Sequence, residues 1–90
     1  MTGADRPVLP RGVRLHHDRV RGVPVLLGPE TALILDPVGQ AVLAEVDGSR
    51  DIAAISAALA DRYAAPVEMI QSDVIEFLDD MAARRLVEVA

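Results

Sequence analysis

The 90-residue sequence contains no cysteine, no tryptophan and no lysine, and its only aromatic residues are Tyr63 and Phe77. A chain without cysteine can form no disulfide bond, thiolate zinc site, iron–sulfur cluster or cysteine nucleophile, so any redox centre that it serves must lie in a partner. No apolar run is long enough to cross a membrane, and Met1–Pro10 has no signal-peptide pattern. We therefore expect a soluble, cytoplasmic protein.

The abundant residues are aliphatic. Apolar residues make up 51% of the chain, which is too high a fraction for a disordered tail. A chain of this length folds as one small domain, and such a domain needs a compact core. We therefore expect a single domain whose core is built almost entirely from aliphatic side chains.

Strand periodicity dominates from Val13 to Asp36. Short alternating or apolar runs are separated there by turn-forming residues, a pattern typical of an antiparallel meander. The three predicted strands are Val13–His16, Val23–Leu27 and Thr31–Leu35. Two prolines and a glycine near the start indicate a flexible N-terminal lead-in over residues 1–12, and the folded domain is expected to span residues 13–90.

After Asp36 the apolar spacing changes to that of helices. Asp36 followed by Pro37 predicts a helix start, because Asp caps unpaired amides and proline suits the first helical position. The predicted helices run from Asp36 to Asp47-Gly48, from a cap at Ser49 or Asp51 to Tyr63, and from Val67 to Arg84, followed by a short strand, Leu86–Val89. Their predicted buried stripes are Val38, Val42, Leu43 and Val46; Ile52, Ile55, Leu59 and Tyr63; and Val67, Ile70, Val74, Phe77, Leu78 and Met81.

The order of strands before helices predicts an α+β fold. A three-stranded antiparallel sheet followed by three helices resembles the winged helix-turn-helix arrangement, which hosts both DNA-binding and peptide-binding domains. The charge pattern favours the second class, because residues 30–90 carry a net charge of −8 although residues 1–29 carry +3. The third helix, which would enter the DNA groove, holds five carboxylates that would repel phosphates.

Residues able to carry catalysis or to bind a metal are few. His16 and His17 are adjacent on a predicted strand and therefore point to opposite faces, so both cannot easily reach one ion. Ser49, Ser56 and Ser72 lie at cap or helix-surface positions and outside any nucleophile motif. No glycine-rich phosphate loop is present. We therefore expect no catalytic, metal or cofactor site and no enzyme activity.

An apolar strand and a widened helix face point to a groove. Thr31–Leu35 is nearly all apolar, and as an edge strand it would offer unpaired N–H and C=O groups to an extended peptide. Ile75 and Ala82 widen the apolar face of the third helix beyond its main stripe. The pattern leaves a second interpretation open, in which this strand is buried and Ile75 is an ordinary exposed apolar residue.

An ordered set of residues spread over residues 7–88 carries a family resemblance. The set comprises Arg14-Leu15, Asp18, Arg21-Gly22, Leu26-Leu27, Pro29-Glu30, Leu33, Leu35-Asp36, Gly39, Leu43, Val46-Asp47-Gly48, Ile55, Leu59, Tyr63, Asp73-Val74 and Phe77-Leu78. It resembles the PqqD family, the peptide chaperones of pyrroloquinoline quinone (PQQ) biosynthesis. Arg85 departs from the family pattern, in which a glycine usually ends the third helix.

The resemblance implies a winged-helix-like domain that binds the leader of a ribosomally made precursor peptide, performs no chemistry and holds no cofactor. In the family the peptide is PqqA, which is presented to the radical S-adenosylmethionine enzyme PqqE. The peptide adds as a strand against the third strand, next to the third helix. The residues so implied for peptide binding are Ala32, Leu33, Ile34, Leu35, Val74, Ile75, Leu78, Met81 and Ala82, and Arg84 is a candidate for enzyme docking.

Alternatives from other classes stay open at this point. The chain can be a helix-turn-helix regulator that binds DNA, or a recognition domain for another ribosomally made, modified peptide. An exposed third strand also invites self-pairing, so a homodimer is a further alternative. The acidic third helix argues against nucleic acid as a partner, and no segment predicts a membrane partner.

Overall fold

A computed structural model describes residues 1–90 and shows three helices that share one core with a three-stranded sheet. The strands are β1 (Pro7–Val8), β2 (Arg14–Asp18), β3 (Val23–Gly28), β4 (Thr31–Ile34) and β5 (Glu88–Val89), and the helices are α1 (Pro37–Ala44), α2 (Ile52–Tyr63) and α3 (Val67–Ala83). The predicted α+β fold and the order of its main elements are confirmed. None of the helices combines the length and the apolar character needed to span a membrane.

The main sheet is antiparallel with the strand order β2-β3-β4, so β4 lies at one of its two edges. The register places Leu15, Leu26 and Leu33 side by side across the three strands. Leu26 is fully buried and the other two are half-buried against the core, which identifies the face that meets the helices. Because a slip of one residue would turn these leucines to solvent, their burial fixes the register.

The core joins this sheet face to one stripe of each helix. The largest fully buried side chains include Leu26, Leu43, Ile52, Ile55, Val74 and Leu78. Three residues predicted to be buried are instead 63% (Val38), 53% (Tyr63) and 38% (Val67) exposed, so for them the prediction is wrong. Each lies in the first or last turn of its helix, where the stripe extends past the part of the helix that the other elements cover.

Residues 1–12 are part of the fold, which corrects the expected flexible lead-in. The carbonyl groups of Gly3 and Asp5 accept hydrogen bonds from the N–H groups of Ala53 and Ile52, both at 2.9 Å. This segment therefore satisfies two of the amides that the start of α2 leaves unpaired. Further along, β1 pairs with β5 to form a second, two-stranded sheet. The sequence pattern missed this contact because backbone hydrogen bonds leave no trace in side-chain periodicity.

The predicted helix caps are confirmed for α1 and α2. The Asp36 carboxylate accepts a hydrogen bond from the Gly39 N–H at 2.7 Å, and the Asp51 carboxylate accepts one from the Ala54 N–H at 2.8 Å. Both contacts pair amides of the first helical turn. Asp51 rather than Ser49 is thus the cap of α2.

The loop between α1 and α2 is organised around Asp47 and Arg50. The Asp47 carboxylate accepts hydrogen bonds from the N–H groups of Arg50 and Ser49, which lower its pKa to about 2. The Arg50 guanidinium donates to the Glu45 carbonyl at 2.7 Å. Helix α1 ends at Ala44, before the predicted Asp47-Gly48. The hydrogen bonds of Asp47 and Arg50 form here in place of a further helical turn.

The end of α3 explains the departure at Arg85. The helix ends at Ala83, and Arg85 adopts a left-handed conformation with φ of 61°. The Leu86 N–H donates to the Met81 carbonyl at 2.9 Å. This is the helix ending that glycine usually provides, so Arg85 performs the same backbone role at the cost of some strain.

The buried side chain of Ser56 leads to a prediction about stability. Ser56 is 0% exposed, not at the helix surface as predicted, and its hydroxyl has no hydrogen-bond partner. Ser56→Ala removes an unpaired buried polar group, so we expect it to raise the free energy of unfolding by about 1 kcal/mol. Ser72→Ala, on the exposed side of α3, is the matched control and should change it by less than about 0.5 kcal/mol. Urea denaturation measures both, and a destabilised Ser56→Ala protein would contradict the prediction.

Candidate functional site

The free edge of β4 is the main feature of the site. The Leu35 N–H donates to the Pro24 carbonyl at 3.0 Å, which fixes the phase of the alternating antiparallel ladder. In this phase Leu33 and Leu35 direct their backbone groups towards β3, whereas Ala32 and Ile34 direct theirs outwards. No strand pairs with that edge. The backbone groups of Ala32 and Ile34 are therefore open to an added strand.

The side chains of β4 and its extension alternate in the same way. Leu33 is half-buried and Leu35 is 6% exposed, whereas Ala32 is exposed and Ile34 is 54% exposed. Each of the two interpretations that the sequence left open is thus correct in part. One face of the strand is anchored on the core, and its outer edge is free.

The flank of α3 that carries Phe77 packs against the first turn of α1, the helix that follows β4. A Cβ atom added to Gly39 would lie 3.0 Å from Phe77 Cε1 and 3.2 Å from Asp36 Oδ1. The ring therefore lies against the backbone of this first helical turn. The residues that line a surface depression on this flank are Asp73, Glu76, Phe77 and Asp80.

Ile75 and Ala82, which the sequence predicted as part of the wall beside β4, lie on the flank of α3 opposite to Phe77. Ile75 is two residues from Phe77, which places it about 160° away around the helix axis. Ala82 is seven residues from Ile75 and shares its flank. The spacing of the apolar residues in the sequence indicates that both flanks are apolar, but it does not predict which flank faces the strand.

The N-terminal segment contacts the flank that holds Ile75, beside a surface depression that Ile75 lines together with Val67 and Gln71. Gln71, one turn before Ile75, brings its Nε2 atom within 2.8 Å of the position that a Cβ on Gly3 would occupy. Asp79, one turn after Ile75, accepts a hydrogen bond of 2.6 Å from the α-amino group of Met1. Residues of this flank are thus already in use within the fold.

The remaining sequence-predicted helix residues lie in the core or at the helix end. Val74, Leu78 and Met81 are 1%, 0% and 2% exposed, so their side chains support the wall from beneath and do not form its surface. Arg84 follows the last turn of α3, where its Nε atom lies 3.4 Å from Asp80 Oδ2. Arg84 thus shares the flank of Phe77.

The hairpin between β2 and β3 is a separate, rigid projection. The Asp18 carboxylate accepts hydrogen bonds from the N–H groups of Val20 and Arg21 at 2.9 and 3.1 Å. The bond from Arg21 is the main cause of the lowered pKa of Asp18. Val20 at the tip is 97% exposed. His16 and His17 lie opposite Val25 and Pro24 on the two faces of the sheet, and no group of three or more metal-ligand side chains is assembled.

The packing of Phe77 on Gly39 can be tested by coupled substitutions. Gly39→Ala adds a Cβ at 3.0–3.2 Å from the ring, whereas alanine is otherwise favoured in a helix by about 1 kcal/mol. We expect Gly39→Ala to be more favourable by at least about 1 kcal/mol in a Phe77→Ala background than in the wild type. Urea denaturation of the four proteins measures the difference. If the two substitutions change the free energy of unfolding additively, the contact between Phe77 and Gly39 is contradicted.

Comparison with sequences of known proteins identifies relatives along nearly the whole chain. The family described as coenzyme PQQ synthesis protein D (PqqD) matches residues 25–87. A PqqA binding protein of Rhizobium meliloti is 42% identical over 89 residues, which cover 99% of this chain and 91% of that protein. A PqqA binding protein of Bradyrhizobium diazoefficiens is 46% identical over 79 residues, which cover 88% of this chain and 77% of that protein.

Solved structures show the same architecture. The PqqD truncation of Methylobacterium extorquens PqqCD, described as a stand-alone recognition element for ribosomally synthesized, modified peptides, has a TM-score of 0.84 and 41% identity and covers 97% of this chain and 93% of its own. PqqD from Xanthomonas campestris has a TM-score of 0.61 and 37% identity, with 96% of each chain covered. TbiB1, solved with the TbiA(β) leader peptide, shares the fold at a TM-score of 0.76, with 23% identity over 90% of this chain and 94% of its own. On the match over residues 25–87 and the identity to its relatives, this chain belongs to the PqqD family.

Proposed function

We propose that this protein binds the PqqA precursor peptide as an added strand on β4 and presents it to the radical S-adenosylmethionine enzyme PqqE, in the cytoplasm. The observation that carries the proposal is the unpaired backbone edge at Ala32 and Ile34. It is supported by the position of Phe77 on α3, which packs against Gly39 in the first turn of the helix that follows β4. Relatives that are 42% and 46% identical to this chain are named PqqA binding proteins. The role is therefore one of binding, and the chemistry belongs to the enzyme.

The geometry divides affinity and specificity between two parts of the site. Main-chain hydrogen bonds to Ala32 and Ile34 hold an extended segment whatever its sequence, and side-chain contacts select among segments. The side chains available for selection are Ile34 on the strand and Phe77 on the helix, with Leu33 and Leu35 holding the strand in place from below. Arg84, on the same flank as Phe77, remains our candidate for contact with the enzyme.

Release of the peptide is part of this function. A peptide that is disordered in solution loses conformational freedom when it binds, and this cost lowers the affinity for a given contact area. A single added strand beside one aromatic side chain makes a small interface. The peptide can therefore pass on to the active site of a second protein.

The surface charge of α3 does not favour the DNA-binding alternative. All five of its acidic residues are exposed, and the cations near it, Arg84 and Arg85, lie beyond its C-terminal end. A helix that enters a DNA groove needs cations that neutralise phosphates. Peptide binding at β4 does not require cations on this helix.

Replacement of Ile34 by proline tests whether the free edge binds the peptide. Ile34→Pro removes an N–H that points outwards and takes part in no bond to β3, so we expect peptide binding to fall below detection with the fold retained. Ile34→Ala keeps the N–H and is the matched control for loss of the side chain. Isothermal titration with synthetic PqqA measures affinity, and circular dichroism checks the fold. A folded Ile34→Pro protein that binds PqqA with the affinity of the wild type would contradict the proposal.

A second pair of variants tests which flank of α3 forms the wall. Phe77 and Ile75 are both half-buried, and they lie on opposite flanks. We expect Phe77→Ala to weaken PqqA binding about tenfold, as loss of an aromatic anchor does, and Ile75→Ala to change it by less than about twofold. The same titration measures both, with thermal unfolding as the control for stability. A larger effect of Ile75→Ala would place the peptide on the opposite flank.

A further inference from the structure

An apolar cavity open to solvent lies where the three helices meet. It has a volume of about 240 Å³, and seven of its nine lining residues are hydrophobic. Its floor consists of the buried residues Val42, Leu59 and Val74, and its rim includes Val38 and Tyr63, which are 63% and 53% exposed. These two rim residues continue the buried stripes of α1 and α2 and yet remain uncovered.

The size of the cavity restricts what it can hold. Sites for small-molecule ligands usually measure about 300–1,000 Å³, so this cavity is too small for a cofactor and suits one large apolar side chain. Apolar side chains inserted into such pockets supply most of the affinity of protein–protein interfaces. A cavity of this size therefore suits one side chain from another polypeptide.

The charge beside the cavity restricts the occupant further. Asp73 lines both the cavity and the depression around Phe77, and Glu76 and Asp80 continue this acidic strip along α3. Arg84 pairs with Asp80 and leaves the strip negative on balance. An apolar side chain that enters the cavity is thus best accompanied by arginine or lysine.

The position of the cavity connects it to the peptide. Because Asp73 borders both features, a protein that fills the cavity lies next to the peptide that we propose to bind at β4 and Phe77. We infer that the cavity is the docking site for the enzyme that receives the peptide, and that this enzyme inserts an apolar side chain flanked by basic residues. This inference rests on the proposed peptide-binding function and adds a surface separate from the β4 edge.

A pair of valine substitutions tests the inference. Val38→Asp places a charge at the rim of the cavity, and Val20→Asp makes the same change at the exposed hairpin tip. Both positions are solvent-exposed, so both variants are expected to fold. We expect Val38→Asp to weaken docking of the peptide-loaded protein to PqqE about tenfold, and Val20→Asp to change it by less than about twofold. Biolayer interferometry with immobilised PqqE measures docking, and titration with PqqA alone measures peptide affinity.

The outcomes separate this inference from the proposed function. Unchanged PqqA affinity together with impaired docking of Val38→Asp supports it. Normal docking of Val38→Asp, or no docking of the wild-type protein, overturns it and leaves peptide binding intact. A loss of PqqA affinity in Val38→Asp would assign the cavity to the peptide and also overturn it. Self-association that both Val20→Asp and Val38→Asp abolish would assign the cavity to the basic hairpin tip of a second copy and would overturn the inference. Failure of the wild-type protein to bind PqqA would instead refute the proposed function.

Discussion

Burial of Leu33 and Leu35 against the core is the constraint on which the site depends. Because these residues also direct their backbone groups towards β3, the residues between and beside them must direct theirs outwards. The core therefore both holds β4 in place and leaves Ala32 and Ile34 open. A strand held in this way is ordered before any peptide arrives, so most of the entropy cost of binding falls on the peptide.

Three sides of helix α3 face different parts of the structure. The position of each residue around the helix axis decides which part it faces. Val74 and Leu78 face the core, Ile75 lies on the side that the N-terminal segment contacts, and Phe77 faces the first turn of α1. Contacts of residues 1–5 with α2 and α3 occupy part of the flank that holds Ile75. An open cavity near the start of the same helix is the surface that we propose for the docking of a second protein.

Much of this arrangement can be predicted from the sequence, because the signals are local. Asp36 and Asp51 mark the helix starts through their capping chemistry, and the apolar run Thr31–Leu35 marks the edge strand. Which flank of α3 faces that strand is not a local property, since Ile75 and Phe77 both adjoin the buried stripe and only the packing of Phe77 on Gly39 distinguishes them. The exposure of Val38 and the packing of residues 1–12 into the fold likewise depend on tertiary contacts, which the periodicity of the sequence does not predict.

Amide hydrogen exchange, measured by NMR with and without PqqA, tests the central claim most directly. If the peptide adds as a strand to β4, the amides of Ala32 and Ile34 become protected on binding, whereas those of Leu33 and Leu35, already bonded to β3, change little. This two-residue alternation is the pattern that strand addition produces. If the exchange rates of the Ala32 and Ile34 amides are the same with and without bound PqqA, the account is contradicted.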